Sequence, residues 1–348
     1  MSYRHRYVVA WSLMVALGLM LSGCSSTTGR RAEPFPRDKA LRVNDIQVIG
    51  THNSYHRRPP RTLPLGDVAD YQHPALDQQL DHEGVRSFEL DAFNGPSFPI
   101  AHTPVLDAAT NCPTLAVCLS VVERWSVAHP THVPIFVLIE PKTQTIVFDA
   151  KDLPWDAAAI RRLDATVRNV FRPRGLLTPD MVRGRSRALR DAVTTRGWPT
   201  LGATRGRVAV VLNTAGPERD LYLAGRPTLR GAPLFVTADV DAPSAAVIKR
   251  DEPREAEIRQ LVERGFIVRS RADDRGTEAR ANDFARANAA IKGGAQIVTT
   301  DFPVPDPHFG TYEVRLPGGQ PARCDPVTAP PRCRSADIEN PKFLGRRG

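Results

Sequence analysis

The sequence is poor in aromatic residues, at 7%, and it has four methionines and five cysteines. Beyond its first two dozen residues no apolar run is long enough to span a bilayer, which excludes a polytopic membrane protein. It has no Gly-x-Ser-x-Gly, so a serine hydrolase of that kind has no support. Walker and Gly-x-Gly-x-x-Gly loops are absent too, and a nucleotide partner goes with them. Its basic residues are scattered rather than blocked and no base-reading motif occurs, which argues against nucleic acid. What is present is 348 residues, 41% hydrophobic and 24% charged, enough apolar material to bury a core. The length fits two ordinary domains, or one α/β barrel of about 250 residues with short extensions.

The N-terminus reads as a leader. Arg4, His5 and Arg6 form a basic start, residues 8–21 are apolar apart from Ser12, and Leu21-Ser22-Gly23-Cys24 has the form of a lipobox. This predicts a lipoprotein signal peptide over residues 1–23, with Cys24 lipidated and the protein exported and anchored to the bacterial cell envelope. Residues 24–41, rich in Ser, Thr, Arg and Pro, are expected to form a flexible tether. The leader carries Arg4 and Arg6 and no acid, so its removal takes the net charge from +9 to +7. That balance favours anionic lipid or phosphate partners. The other four cysteines fall into local pairs, Cys112 with Cys118 and Cys324 with Cys333. Two disulfides are expected, zinc being the poorer reading because neither pair has Cys-x-x-Cys spacing.

Between residues 42 and 310, short β-branched runs alternate with amphipathic segments. Candidate strands are Ile46–Ile49, Arg86–Leu90, Ile135–Ile139, Val208–Leu212, Leu234–Val236, Phe266–Val268 and Gln296–Val298, with a weaker one at Phe98–Ala101. Candidate helices are Ala75–Glu83, Leu115–Ala128, Asp156–Phe171, Arg254–Glu263 and Glu278–Lys292. Alternation of this kind predicts a parallel sheet, and eight strands predict an α/β fold closed as a (β/α)8 TIM-type barrel. Residues 311–348, Pro/Gly-rich and holding the pair Cys324 and Cys333, read as a C-terminal extension.

Polar residues recur at the C-terminal ends of these strands: His52 and Asn53, Glu89 and Asp91, His102, Glu140 and Lys142, Asn213, Arg269 and Arg271, and Asp301. In a β/α barrel those ends converge on one face, which carries the active site. Glu89 and Asp91 are two apart on a strand and point the same way. With Glu140 and Asn53 they give four hard oxygen ligands, suited to Ca²⁺ or Mg²⁺ and not to zinc. His52 and His102 can serve as general base and general acid in one displacement. Lys142, Arg269 and Arg271 offer fixed positive charge for a phosphate. Singly, each has a plain structural reading; together they point to cleavage of a phosphodiester. Among the other histidines, His56 reads as a rim or structural residue, and His73, His82, His129 and His132 as surface residues. The basic, Pro-rich segment 57–72 is a candidate rim loop for lipid headgroups, an ordinary surface loop being the alternative.

These motifs, Gly50-Thr51-His52-Asn53-Ser54-Tyr55-His56, Phe88-Glu89-Leu90-Asp91, Ala101-His102, Glu140-Pro141-Lys142, Arg269-Ser270-Arg271-Ala272-Asp273 and Thr300-Asp301-Phe302-Pro303, resemble those of the phosphatidylinositol-specific phospholipase C superfamily, in particular its bacterial Ca²⁺-dependent group. The resemblance spans about residues 42–310. It implies that His52 deprotonates the inositol 2-hydroxyl, that His102 protonates the departing diacylglycerol oxygen, and that Asn53, Glu89, Asp91 and Glu140 bind Ca²⁺. A cyclic inositol phosphate would be the first product. Metal-independent relatives carry an arginine in place of the metal; here both carboxylates are present, which favours the Ca²⁺-dependent version. Lys142, Arg269 and Arg271 are candidates for phosphate or headgroup contacts. Asp301 is a candidate to orient His52, a structural salt bridge being the alternative. The expected partner is a phospholipid at a membrane surface, met by a monomer. Two other readings stay open: a glycerophosphodiester phosphodiesterase on the same barrel, disfavoured because His52 is followed by Asn53 rather than arginine, and a non-catalytic lipoprotein binding lipid or sugar phosphate.

Overall fold

Eight short runs form parallel strands in the computed structural model, which describes residues 35–59, 69–104, 106–143, 153–339 and 344. The leader, Cys24 and the tether as far as residue 34 lie outside the described residues, as does most of segment 57–72. The strands are β1 Ile46–Thr51, β2 Ser87–Phe93, β3 Ile135–Lys142, β4 Val208–Leu212, β5 Leu234–Val236, β6 Val247–Arg250, β7 Ile267–Arg271 and β8 Ile297–Thr300. They pair in the order β5-β4-β3-β2-β1-β8-β7-β6. A single parallel bridge, Thr237↔Val247, joins the two ends, so the sheet is a nearly closed barrel with helices between the strands. The strand runs are buried almost throughout, as in a barrel covered on both faces. Gly50 is required where β1 passes β2, because a Cβ there would lie 2.7 Å from the Ser87 Cβ.

Helix starts follow side-chain chemistry. Asp156 accepts from the Ala159 N–H at 2.7 Å and starts the helix Ala157–Val170. That helix buries Ala159, Ile160, Leu163 and Val167 along one stripe. Among the described residues no helix is long and apolar enough to cross a membrane.

Several sequence expectations are corrected. Phe98–Ala101 is no barrel strand: Pro99 lacks an N–H to donate, and the segment makes only isolated antiparallel bridges. The strand that completes the eight is β6, whose two apolar residues run straight into Lys249 and Arg250 and so give little hydrophobic signal. The helix expected over Glu278–Lys292 is two, Thr277–Ala281 and Ala285–Gly293, parted at Asn282, which adopts a left-handed conformation with φ 50°. His73 and His132, read as surface residues, are buried, at 2% and 0% exposure.

The described residues of both flanks pack on the barrel. Phe35 and Leu41, within the expected tether, are buried, and Arg205 lies 3.6 Å over the Phe35 ring. The extension adds a ninth strand, β9 Ala322–Cys324, antiparallel to β1. Both expected disulfides are present. Cys112 is bonded to Cys118, with Cα atoms 5.2 Å apart, and Cys324 is bonded to Cys333, with Cα atoms 6.1 Å apart. Cys118 lies in the first turn of the helix Leu115–Ala128, so its bridge ties that helix to the loop before it. Cys333 ties the chain after β9 back to the end of that strand. Farther on, Glu339 reaches the N-terminal end of β2, where its Oε1 accepts from Arg86 Nε at 2.7 Å and its Oε2 from the Val133 N–H at 2.8 Å. Arg86 is 1% exposed, so Glu339→Ala strands a charge in the interior. Unfolding in urea should show a loss of about 3–5 kcal/mol; an unchanged midpoint would remove this pair from the stability account.

His132 makes stability depend on pH. Its Nε2 meets Ser126 Oγ at 2.8 Å, and burial lowers its pKa from 6.5 to about 4. Between those values the unfolded chain binds the proton and the folded chain does not. Stability should therefore fall as the pH drops from about 6.5 to about 4. His132→Gln, which cannot titrate, should flatten that fall; an identical acid limb in the variant would contradict the assignment.

Candidate active site

β1 delivers the first pair of functional residues. The strand ends at Thr51, the His52 N–H still donates to the Thr300 carbonyl at 3.0 Å, and Asn53 then turns with φ 43°, a conformation that asparagine tolerates. His52 thereby reaches the C-terminal mouth of the barrel, where its Nδ1 lies 2.8 Å from Asp301 Oδ1 on the loop after β8. Arg271 Nη2 lies 3.4 Å from the same nitrogen. Burial, reinforced by Arg271, lowers the His52 pKa well below its ordinary value. With Nδ1 bonded to Asp301, Nε2 is the ring nitrogen left for a proton transfer. Asp301 is fixed in turn through its N–H, which donates to Asp273 Oδ1 at 2.9 Å.

β2 and β3 deliver the carboxylates. Asp91 of β2 pairs in register with Glu140 of β3, so the two stand side by side, and Glu89 lies two residues before Asp91 on the same face. Carboxylate oxygens of Glu89, Asp91 and Glu140 come within 4.8 Å of one another, and Asn53 lines the same cleft. Asn53 is set by its Nδ2, which donates to Tyr71 Oη at 2.8 Å. Neither oxygen of the buried Asp91 accepts a well-formed hydrogen bond, and burial raises its pKa to about 7. A buried carboxyl whose Oδ1 has no partner and whose Oδ2 meets only the Lys142 ammonium, beside two more carboxylates, fits a hard divalent cation.

Chain cations neutralise this cluster. Lys142 Nζ lies 2.6 Å from Glu140 Oε1 and 3.2 Å from Asp91 Oδ2. Lys249 Nζ lies 3.4 Å from Glu140 Oε2. Arg269 pairs with Glu89 and with Asp251, and is 1% exposed. Burial is the largest single effect on Glu89 and would raise it, but Arg269, with Lys249 and Arg271 among the charges behind it, brings the carboxyl down to about 2. Three carboxylates thus face three cations. Asn213 Nδ2 sits between Glu89 and Glu140, 3.4 and 3.2 Å from their oxygens.

His102 comes from the loop after β2 rather than from a strand of its own. Its Nδ1 lies 2.8 Å from Asp107 Oδ2, and that bond, ahead of the opposing effect of burial, raises the His102 pKa. Asp107 also accepts from His56, which is wholly buried rather than at the rim. His52, Asn53, Glu89, His102, Glu140, Lys142, Arg269, Arg271 and Asp301 line one cleft of about 280 Å³, and Asp91 lies beside it.

Sequence reading assigned no role to four members of this neighbourhood, although Asp273 stands in one of the quoted motifs. Lys249 went with the missed β6. Asp107 lies five residues after His102 in a loop with no periodicity to mark it. Tyr71 and Asp273 are placed by tertiary packing; only the strand-end position of Asn213 was visible beforehand.

A family model described as phosphoinositide phospholipase C, Ca²⁺-dependent, matches residues 41–97 and 92–326. Among solved structures, the calcium-dependent phosphoinositol-specific phospholipase C of a Gram-negative Pseudomonas is similar at 20% identity and TM-score 0.58, over 83% of this chain and 97% of its own. Its myoinositol complex gives 19% identity and the same TM-score and coverage. The Ca²⁺-dependent phosphatidylinositol-specific phospholipase C of Streptomyces antibioticus gives 20% identity and TM-score 0.55, over 76% and 96% of the two chains. At that identity these likenesses concern the fold, a TIM-type barrel. No curated protein matches this chain. With the family model covering most of the barrel and its C-terminal flank, the chain belongs to the Ca²⁺-dependent phosphoinositide phospholipase C family of enzymes.

Proposed function

We propose that this enzyme cleaves phosphatidylinositol-type lipids to diacylglycerol and a cyclic inositol phosphate. His52 serves as general base and His102 as general acid, beside a Ca²⁺ held by Asn53, Glu89, Asp91 and Glu140. The observation that carries this reading is geometric: His52, bonded through Nδ1 to Asp301, and His102, bonded through Nδ1 to Asp107, line one cleft with the carboxylate cluster. Burial and Arg271 push His52 down, whereas the bond to Asp107 raises His102. Titratable pairs whose surroundings push them apart make natural acid–base assignments.

His52 Nε2 takes the proton of the inositol 2-hydroxyl, and that oxygen bonds to phosphorus. The phosphorus–oxygen bond to diacylglycerol breaks, and His102 gives its proton to the departing oxygen. Asp301 keeps His52 in the tautomer with Nε2 free. A bound Ca²⁺ would lower the pKa of the attacking hydroxyl and draw off charge developing on phosphate oxygens. Lys142, Lys249 and Arg271 line the cleft where a phosphate would sit, and Arg269 serves mainly to hold Glu89. The two disulfides, Cys112 to Cys118 and Cys324 to Cys333, suit an exported protein, anchored through a lipidated Cys24 and acting as a monomer on a membrane surface.

Turnover of phosphatidylinositol vesicles set against glycerophosphodiesters tests the substrate class. Release of diacylglycerol from the vesicles is expected. Glycerol phosphate from the deacylated diesters, with no attack on the lipid, would move the assignment to a glycerophosphodiesterase.

A further inference from the structure

We propose that His56 is a positioning residue for the general acid: buried behind Asp107, it shares that carboxylate with His102 and so sets how firmly His102 holds its proton. The inference rests on the reading of His102 as the acid. Asp107 is 2% exposed, and its Oδ2 meets His102 Nδ1 at 2.8 Å and His56 Nε2 at 2.9 Å. Its Oδ1 lies 3.1 Å from the same His56 nitrogen. His56 Nδ1 is buried without a partner, so the ring's one polar bond is aimed at Asp107. The ring packs on Tyr71 with centroids 4.5 Å apart and meets the edge of His102 at 5.8 Å. The His56 N–H donates to the Asn53 carbonyl at 2.8 Å, and its carbonyl accepts from the His73 N–H at 2.9 Å. Ring and backbone are both fixed, which a rim residue would not need.

A carboxylate that accepts from two donors spreads its charge over both. The His56 donor stabilises the Asp107 anion and weakens its pull on the His102 proton. Burial pushes Asp107 up, yet the two histidine bonds bring it down to about 2. The groups facing His102 are Asp107, with His56 behind it, Asp91 of β2 and Lys142 of β3; Asp301 faces His56 from the loop after β8. Held by Asp107 alone, His102 would keep its proton more firmly than it does with His56 sharing the carboxylate. Loss of the His56 donor and loss of the Asp107 charge should therefore displace His102 in opposite directions. Packing damage alone would not produce that pattern.

The test follows the His102 imidazole by NMR across pH in the full chain, together with the alkaline limb of kcat on phosphatidylinositol vesicles. His56→Phe should raise the His102 midpoint by about one pH unit and lower kcat. His56→Gln, which keeps an N–H near the Nε2 position, should restore both, and Asp107→Asn should lower the midpoint by about one unit. If His56→Phe does not fold, His56→Asn, whose shorter amide stops short of Asp107, takes its place. An unmoved or lowered midpoint in a folded His56→Phe or His56→Asn protein overturns the proposal. The NMR arm needs no turnover. Midpoints that move as stated in a protein inert toward phosphatidylinositol would leave the tuning intact and remove the phospholipase reading.

Discussion

His52→Ala and His102→Ala should each lower kcat for phosphatidylinositol cleavage by about 10²–10⁴-fold while leaving the unfolding midpoint nearly unchanged. Both rings are partly exposed in the cleft, with side-chain exposures of 19% and 34%, so truncation opens little cavity in the core. Their losses should differ in kind. Without His102 the leaving oxygen departs unprotonated, so a substrate whose leaving group is already acidic, such as a nitrophenyl ester of inositol phosphate, should recover much of its rate. Without His52 the attacking hydroxyl keeps its proton, and the same substrate should bring no such recovery. Equal rescue of both variants would break the assignment of base to one and acid to the other.

Glu89→Gln combined with Asp91→Asn should abolish Ca²⁺ binding, weakening it by more than about 100-fold in calorimetry, and activity should fall with it. The pair keeps the shape of the site and removes two of its three negative charges. Arg269, Lys142 and Lys249 then outnumber the remaining carboxylate, Glu140, and repel a cation as well. Calorimetry reads this directly, independent of turnover. An undiminished binding isotherm would place the cation elsewhere.

Much of the barrel was legible because a buried parallel sheet writes its strands as β-branched runs. Val208–Leu212 could be read to the residue, and Ile135–Ile139 from its first residue, although that strand runs on through the polar residues to Lys142. β6 could not, since a strand of four residues that ends in Lys-Arg carries too little apolar signal. The disulfides were legible because each cysteine has its partner close by in sequence, Cys118 six residues after Cys112 and Cys333 nine after Cys324. The carboxylate trio and His52 were legible because strand ends converge whatever the loops do. His102 was found by its local motif, though its supposed strand does not exist. What supports these groups was hidden. Asp107 sits in a short loop, and the burial of His56 and His73 follows from how Tyr71 and the loops pack, which has no period in the sequence. Glu339 was equally silent, one of four acids in a Pro/Gly-rich tail with nothing local to mark it as the partner of Arg86.

The proposed reaction is a Ca²⁺-assisted attack of the inositol 2-hydroxyl, run by His52 and His102. Its most direct test is phosphorus NMR of phosphatidylinositol vesicles incubated with the full chain, first with Ca²⁺ and then with chelator. A cyclic inositol phosphate signal that appears with Ca²⁺ and stops growing on chelation is the expected result. Cleavage that continues undiminished in chelator, or an acyclic phosphate formed with no cyclic precursor, would contradict it.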